Sequence, residues 1–586
     1  MTPIMKRQHH PLVLRPAPLL FVVLSAVGIV ACNPGTPRDR DATTYEAEGA
    51  ASHLSNSTFR SLPPEQQYQV ANRLLTTVYR GVAVDEFFDL SDGLYPLQPS
   101  NRNFLRDTRA ALTTPMSSAE RAAARARIGL NSDDTPTNDE DALFEFTNSS
   151  NDNTTPLYRQ IPLAQISEFP LSRDLYVEWM TYFLANTIMF SPALEMESTD
   201  AKDAAFVYNF LRQRIKNDES VRDIVRAYLG TQSRWRVSRS AENHALEAYE
   251  LFLGLFDTEE DSRRGGVACQ DWRLTSESAQ YQLVRSGEQN EEYLRILDNY
   301  YIRTCDDLYN VIVSHPLFMP RVTEVIANYL LADLPVEERM KVVEGVLKGG
   351  PTTFEDIFTA LLFSEAYLLQ TERPLWFEEN LFGVLHRMHW SVERNQGQIG
   401  RRITREIQEY GWSDLNQRNM GSSAMEYKIG RTPDVPMDAL SFASHSKAMR
   451  ERVLVGNRQG WEGGTWSSNE RGYRGLFLEA VPHPEEADVL QTAVREDVAN
   501  LNAEDFIDYL FLTTLLRPAT GTERDALMDM LGPEGRNQIY FDQALEEHRV
   551  RSSRWNYSDV TYVVMEYVSR LPEFYYLARP GEEING

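Results

Sequence analysis

Two histidines three residues apart are the first place to look for chemistry in this chain: His386 and His389 lie in the stretch Leu381 to Trp390. On a helix that spacing turns both imidazoles to one face, where Glu378 or Glu393 could complete a three-ligand zinc or iron site. Stacking on Trp376 or Trp390 would occupy the same rings equally well, and no spacing marks a third ligand, so neither a metal nor another cofactor is expected. The sequence holds no G-x-S-x-G elbow, Walker loop, H-E-x-x-H pair or C-x-x-C-H haem turn. His445 beside Ser444 and Ser446 has no context for a nucleophile and its base, while His244 and His315 read as helix-start or turn residues. With 85 acidic residues in the chain, no carboxylate pair stands out as a general acid and base. Catalytic residues stay unassigned.

Sulfur is more informative. Cys32 ends the run Ile29-Val30-Ala31-Cys32, behind basic Lys6 and Arg7 and an apolar segment from Ala17 to Ala31. Crossing a bilayer takes about 20 apolar residues, and this segment is shorter. The ending resembles the bacterial lipobox, so residues 1–32 are expected to be a lipoprotein signal peptide, with Cys32 carrying a diacyl thioether and an N-acyl chain. Asn33 follows the cysteine where Asp would retain a lipoprotein at the inner membrane by the sorting rule of enteric bacteria. The expected location is therefore the outer membrane, facing the periplasm or the outside. Cys269 and Cys305 are the remaining pair. In an oxidising compartment they would form a disulfide; two separate buried thiols are the other arrangement the sequence allows.

The elements that must position these residues read as helices. Apolar residues recur at helical spacing, and S/T-x-x-E capping boxes are expected at Ser117/Glu120, Thr352/Glu355 (opening a helix from Phe354 to Leu369) and Thr520/Glu523. Alternating β-branched runs joined by tight Asn-Gly or Asp-Gly turns are nearly absent, so no large sheet is expected. The fold class is all-α: a multi-layered helical assembly with long irregular loops. Residues 33–57 read as a flexible tether, 58–310 as an N-terminal helical domain and 311–586 as a C-terminal one.

Two loops interrupt the pattern. Residues 131–156 concentrate Asp133, Asp134, Asp139, Glu140 and Asp141 and lack the glycine of a calcium loop, which makes a solvated acidic loop the better reading. Residues 455–475 combine six glycines with Trp461, Trp466 and Tyr473, beside Arg471 and Arg474. Those aromatics could stack on a sugar ring or peptide, or fold back as anchors of a long connection. Glu338-Arg339, Phe354-Glu-Asp-Ile, Ser364 to Tyr367 and Arg373-Pro374 are echoed by Glu523-Arg524, Tyr557-Ser-Asp-Val, Leu571 to Tyr575 and Arg579-Pro580. This suggests two related helical-hairpin units without an exact period.

Composition narrows the function classes. The 586 residues include 42% hydrophobic and 25% charged residues, near globular averages, which excludes a disordered chain or a multi-span membrane protein. A formal charge of −26 repels phosphate backbones, so nucleic acid is not an expected partner.

Several passages carry a family likeness. They are Arg173 to Trp179; Asn217-Asp followed by Val221-Arg-Asp-Ile-Val225-Arg226; Tyr249 to Gly254; Ile357 to Tyr367; Asn469 to Leu478 with Pro482-His-Pro484; and Arg517-Pro518-Ala-Thr520-x-x-Glu523. Together they resemble the secreted planctomycete-type, cytochrome-associated domains of unknown function. The family leads from its F-L-G passage to a C-x-x-C-H-type turn, whereas Cys269-Gln-Asp-Trp272 here has one cysteine and no histidine, so no haem ligand carries over. The resemblance implies an exported, mainly helical envelope protein, often encoded beside a second secreted protein that becomes a candidate partner. The expected function is a lipid-anchored, non-catalytic binding or scaffold protein of the envelope. The alternative is a hydrolase or redox enzyme acting on an envelope or extracellular polymer.

Overall fold

The computed structural model describes residues 47, 49–88, 99–127, 166, 169–185, 187–189, 201–277, 280–387, 503–531, 564 and 567–581. The first part of the chain forms α1 (Asn56–Ser61), α2 (Pro64–Thr77), α3 (Val84–Phe87), α4 (Phe104–Thr113), α5 (Ser118–Arg127) and α6 (Arg173–Ala185). It continues through α7 (Ala201–Lys216), α8 (Val221–Leu229), α9 (Gln232–Ser238), α10 (Ala241–Leu253) and α11 (Glu259–Ala268). Two hairpins follow, β1 (Trp272–Glu277) with β2 (Gln280–Arg285) and β3 (Leu294–Ile296) with β4 (Tyr300–Ile302). Then come α12 (Cys305–Ser314), α13 (Phe318–Leu330), α14 (Val336–Lys348), α15 (Phe354–Leu362), β5 (Arg373–Pro374) and α16 (Phe377–Arg387). The last described elements are α17 (Ala503–Leu515), α18 (Gly521–Leu531) and β6 (Tyr576–Leu577), which pairs antiparallel with β5. The chain is all-α, with only two-stranded sheets among the described residues.

Helix α8 shows why these segments fold as they do. Val221, Ile224, Val225, Tyr228 and Leu229 fall on one stripe and are all buried, while the Ser220 hydroxyl accepts from the Asp223 N–H to cap the first turn. Repeated helix by helix, such stripes meet in a continuous core. At its centre Trp179 and Phe183 of α6 pack edge-on against Phe358 of α15, with centroids 5.1 and 5.0 Å apart. Phe183 also meets Trp376, at 5.4 Å.

Capping boxes form as expected at Ser117/Glu120 and Thr520/Glu523. The third is shifted by one residue. Thr353, not Thr352, caps α15, and the carboxylate of Asp356 collects the N–H groups of both threonines at 3.0 and 2.9 Å. That frees Glu355 to receive Arg173 Nε at 2.9 Å. Nor does α15 run on to Leu369. It stops at Leu362, and a π-helical turn occupies Ala366–Gln370.

The cause of that break corrects the tether as well. Gly49–Ala51 form a helical turn, and Leu54 N–H donates to Phe363 O at 2.8 Å while Glu365 N–H donates to Ser52 O at 3.0 Å. Ala51 and Leu54 are buried. Residues 49–57 are thus a docked neck rather than flexible tether, and they take the backbone groups that a continuous helix would have used. The expected junction at 310/311 falls inside α12, and buried residues from both sides share the core. The acidic loop 131–156 lies outside the described residues.

Candidate functional site

The densest polar chemistry in the described core gathers where α2, α16 and α17 meet, and it is built from one local device used repeatedly. After the π-helical turn, Arg373 sends Nη2 and Nη1 to the two oxygens of Glu379 at 2.6 and 2.7 Å, and the same carboxylate accepts the Trp376 N–H at 2.9 Å. After α17, Arg517 reaches Glu523 at 2.8 and 2.9 Å, and Glu523 accepts the Thr520 N–H at 2.8 Å. In both places an arginine, the backbone N–H three residues on and a glutamate six residues on close the loop that starts a helix. Each arginine also donates to the carbonyl of the proline that follows it.

The end of α2 carries the same arrangement of residues. Leu75-Thr-Thr-x-x-Arg80 matches Leu512-Thr-Thr-x-x-Arg517. Tyr79 and Leu516, each just before the arginine, both adopt left-handed backbone, at φ 60° and 62°. Six residues beyond Arg80, Glu86 accepts the Ala83 N–H at 3.3 Å. By this device Arg373-Pro374 resembles Arg517-Pro518; of the repeat read from the sequence, Tyr557 to Val560 lies outside the described residues. Arg387, at the end of α16, joins the two Leu-Thr-Thr copies. Its Nη1 donates to Thr76 Oγ1 at 3.0 Å and its Nε to Thr513 O. Burial pushes this guanidinium down to about 10, still charged at neutral pH. The helices can come this close because Gly81 faces Gly383; a Cβ on Gly81 would stand 2.7 Å from the Gly383 carbonyl.

Around this junction further ionisable groups are buried, most of them hydrogen-bonded. Arg73 of α2 donates to Thr371 and, at 3.1 Å, to Ala578 O. Tyr182 donates to Glu378 Oε1 at 2.7 Å, and burial together with that carboxylate holds the phenol well above its usual range. Glu178 accepts from Tyr208 and from Arg212 Nη1, the latter at 3.3 Å. The Tyr79 hydroxyl is buried with no hydrogen-bond partner among the described residues. Burial, and then Glu378 and Glu379, raise it as well. Tyr182 and Tyr208, held protonated beside carboxylates, act as donors that fix Glu378 and Glu178 in place, not as bases.

Of the residues singled out from the sequence, His386 lies on α16, where Arg80 Nη1 approaches its Nε2 at 3.3 Å and its ring lies 6.4 Å from that of Phe382. Stacking thus goes to the residue one turn back, while Trp376 packs on Phe183 and Tyr329. Glu378, the expected co-ligand, is held by Tyr182. No group of three His, Cys, Asp or Glu side chains able to hold a metal occurs among the described residues. His389, Glu393, Cys32, Trp461, Trp466, Arg471, Tyr473 and Arg474 lie outside them.

Cys269 and Cys305 form a disulfide, with sulfurs 2.03 Å apart. It closes the base of the two hairpins, between the end of α11 and the start of α12. Beside it, the Tyr309 hydroxyl lies 3.1 Å from the Cys305 sulfur, accepts Trp235 Nε1 at 2.9 Å and pairs with His244 Nε2 at 3.0 Å. His244 does sit in the first turn of α10, but it points into the core. Burial, and then Arg234, hold its pKa well below 6.5, so it stays neutral.

Compared with protein-family models, curated proteins and solved structures, the chain matches none. Sequence reasoning missed the arginine–glutamate loops, although the six-residue spacing was visible three times. It also missed Tyr309, whose position one turn after Cys305 was the only signal.

Proposed function

We propose that this protein is a lipid-anchored, non-catalytic binding or scaffold protein of the outer membrane, held through Cys32. The observation that supports it best is the neck. Residues 49–54 are sealed against Phe363–Glu365 by backbone bonds, so the chain enters the core 17 residues after the cysteine that ends the lipobox-like run. Seventeen residues reach at most about 60 Å. A lipid at Cys32 would therefore hold a rigid helical body within that distance of the membrane surface, with two acyl signals giving stable attachment. The buried, hydrogen-bonded polar groups between α2, α16 and α17, each turned inward, fit a body whose work is to hold a shape and present surfaces. A second secreted protein is a candidate partner for those surfaces.

The reading is tested by maturation. Globomycin should block processing, palmitate analogues should label the wild-type chain, and Cys32→Ala should abolish both labelling and outer-membrane fractionation. A Cys32→Ala protein that still labels and still fractionates with that membrane would refute it.

A further inference from the structure

Within the disulfide-closed segment, the β3–β4 hairpin has two unlike faces. Leu294 pairs with Ile302 and Ile296 with Tyr300, and this face turns inward, burying Ile296 and Ile302 completely. The other face is set by Arg295 directly opposite Tyr301 and, one step beyond the ladder, by Tyr293 beside Arg303. Tyr293 is 70% exposed and Tyr301 63%, and both arginines are exposed. The Arg303 guanidinium lies 5.9 Å from the centre of the Tyr293 ring. Two tyrosines and two arginines therefore alternate diagonally on one solvent-facing surface, with diagonal neighbours about 7–8 Å apart.

This face is held by side-chain-to-backbone bonds, and its cations are only partly balanced: Asp307, which accepts the Arg303 N–H at 3.0 Å, lies within electrostatic reach of the Arg303 guanidinium. Among the described residues neither Arg295 nor Arg303 has a carboxylate at ion-pair distance; Arg295 Nε bonds the Asp298 carbonyl instead. Arg264 Nη1 donates to Arg295 O at 2.8 Å, and Asn290 Nδ2 to Arg303 O at 3.2 Å. Leu297 and Asp298, which turn the hairpin, both hold left-handed backbone at φ 45° and 62°. Such conformations are unfavourable for residues with a Cβ and persist where the surrounding structure enforces them.

We propose that this face binds an acidic polysaccharide, with sugar rings lying on Tyr293 and Tyr301 and carboxylates received by the Arg295 and Arg303 forks. Tyrosine offers a flat apolar body with a polar tip, the match for a pyranose face, and guanidinium receives carboxylate in a two-pronged bond. Exposed Glu292 and Asp298 stand at the two ends of the hairpin. They disfavour a dense polyanion and leave room for a chain bearing a carboxylate on each sugar. The net charge of −26 is spread over the whole chain, and at physiological salt its field decays over about 8 Å, so what binds here is set by the nearest groups: the Arg295 and Arg303 forks and the two tyrosines, with Glu291, Glu292 and Asp298 beside them holding down the affinity for any densely charged polyanion. The proposal gives the binding-protein reading its ligand class and rests on that reading only for where the glycan is met.

The test uses detergent-purified full-length protein and calorimetric titration with three probes: polygalacturonate, neutral dextran and polyglutamate. Expected is saturable binding to polygalacturonate at least tenfold tighter than to either control. Tyr293→Ala/Tyr301→Ala and Arg295→Gln/Arg303→Gln should each weaken it at least tenfold, with circular dichroism and thiol content unchanged. No binding, equal binding to polyglutamate, or unaltered binding by both folded variants would overturn the proposal. Palmitate labelling of the same preparation is scored separately, so the anchor and the glycan face fail independently.

Discussion

Removing the carboxylate of Glu379 should cost far more stability than removing that of Glu523, although both close the same kind of loop. The difference lies in burial and in alternative partners. Arg373 and Glu379 side chains are 2% and 1% exposed, against 19% and 13% for Arg517 and Glu523. Burial alone would lower the Arg373 pKa, but Glu379 and Tyr367 outweigh it and raise it, so the guanidinium stays charged. In Glu379→Ala that cation keeps only neutral acceptors, Thr77, Tyr367 and the Pro374 carbonyl, and the Trp376 N–H loses its acceptor. Breaking a buried pair in this way costs about 3–5 kcal/mol. Arg517 in Glu523→Ala still has Glu573, 2.7 Å from its Nε, and partial contact with water, so about 1–2 kcal/mol is expected. Urea unfolding followed by far-ultraviolet circular dichroism gives both values from midpoints at constant slope. Glu379→Gln, which keeps an acceptor for Trp376, should fall between. Arg373→Met/Glu379→Leu should be less destabilised than Glu379→Ala, because no unpaired charge is left. Losses within 1 kcal/mol of each other for the two alanine variants, or a double variant worse than the single one, would refute the reasoning.

Acid should loosen the neck. Burial, and then Arg109, depress His53 to about 4, so its contribution is complete above about pH 6.5 and is lost as pH falls from there towards 4. Those 2.5 units correspond to about 3 kcal/mol, and His53→Gln should remove this step from hydrogen exchange at Leu54 and Glu365; an unchanged profile would contradict it. The disulfide spans 36 residues, so Cys269→Ser/Cys305→Ser should lose about 3–4 kcal/mol in the chain-entropy account. Denatured, unreduced wild-type protein should show no thiol from this pair, and two titratable thiols there would be contrary.

The helical class was legible because it rests on local periodicity, as in Val221 to Leu229, and two capping boxes followed from their spacing alone. The third moved by one residue because two adjacent threonines and two adjacent acids offer the same pattern, and the choice fell to Arg173, which takes Glu355 from 182 residues away. The neck was read as tether because Gly49 to Leu54 is too short to show a period; its burial is decided by Phe363 and Glu365, about 310 residues later. The arginine–glutamate loops went unread because the Arg-Pro dipeptide drew the comparison, whereas Arg80-Gly81 shows that the spacing from arginine to glutamate recurs without it. Nothing local marks Arg73, Arg373 or Arg387 as buried, since each becomes so only when α2, α16 and α17 are brought together.

Two polar contacts of α2 reach across most of the sequence: Arg73 donates to the carbonyl of Ala578, and the Gln69 side chain accepts the N–H of Gly581, separations of 505 and 512 residues. Contacts so distant in sequence are closed late, because the entropy of closing a long loop must be met before they form. Residues 578–581 therefore work as a clasp on a helix already seated elsewhere: Tyr68 packs on Phe87 and Phe88, and Arg73 also holds Thr371. Opening the clasp would release one edge of α2 while its other contacts stay made.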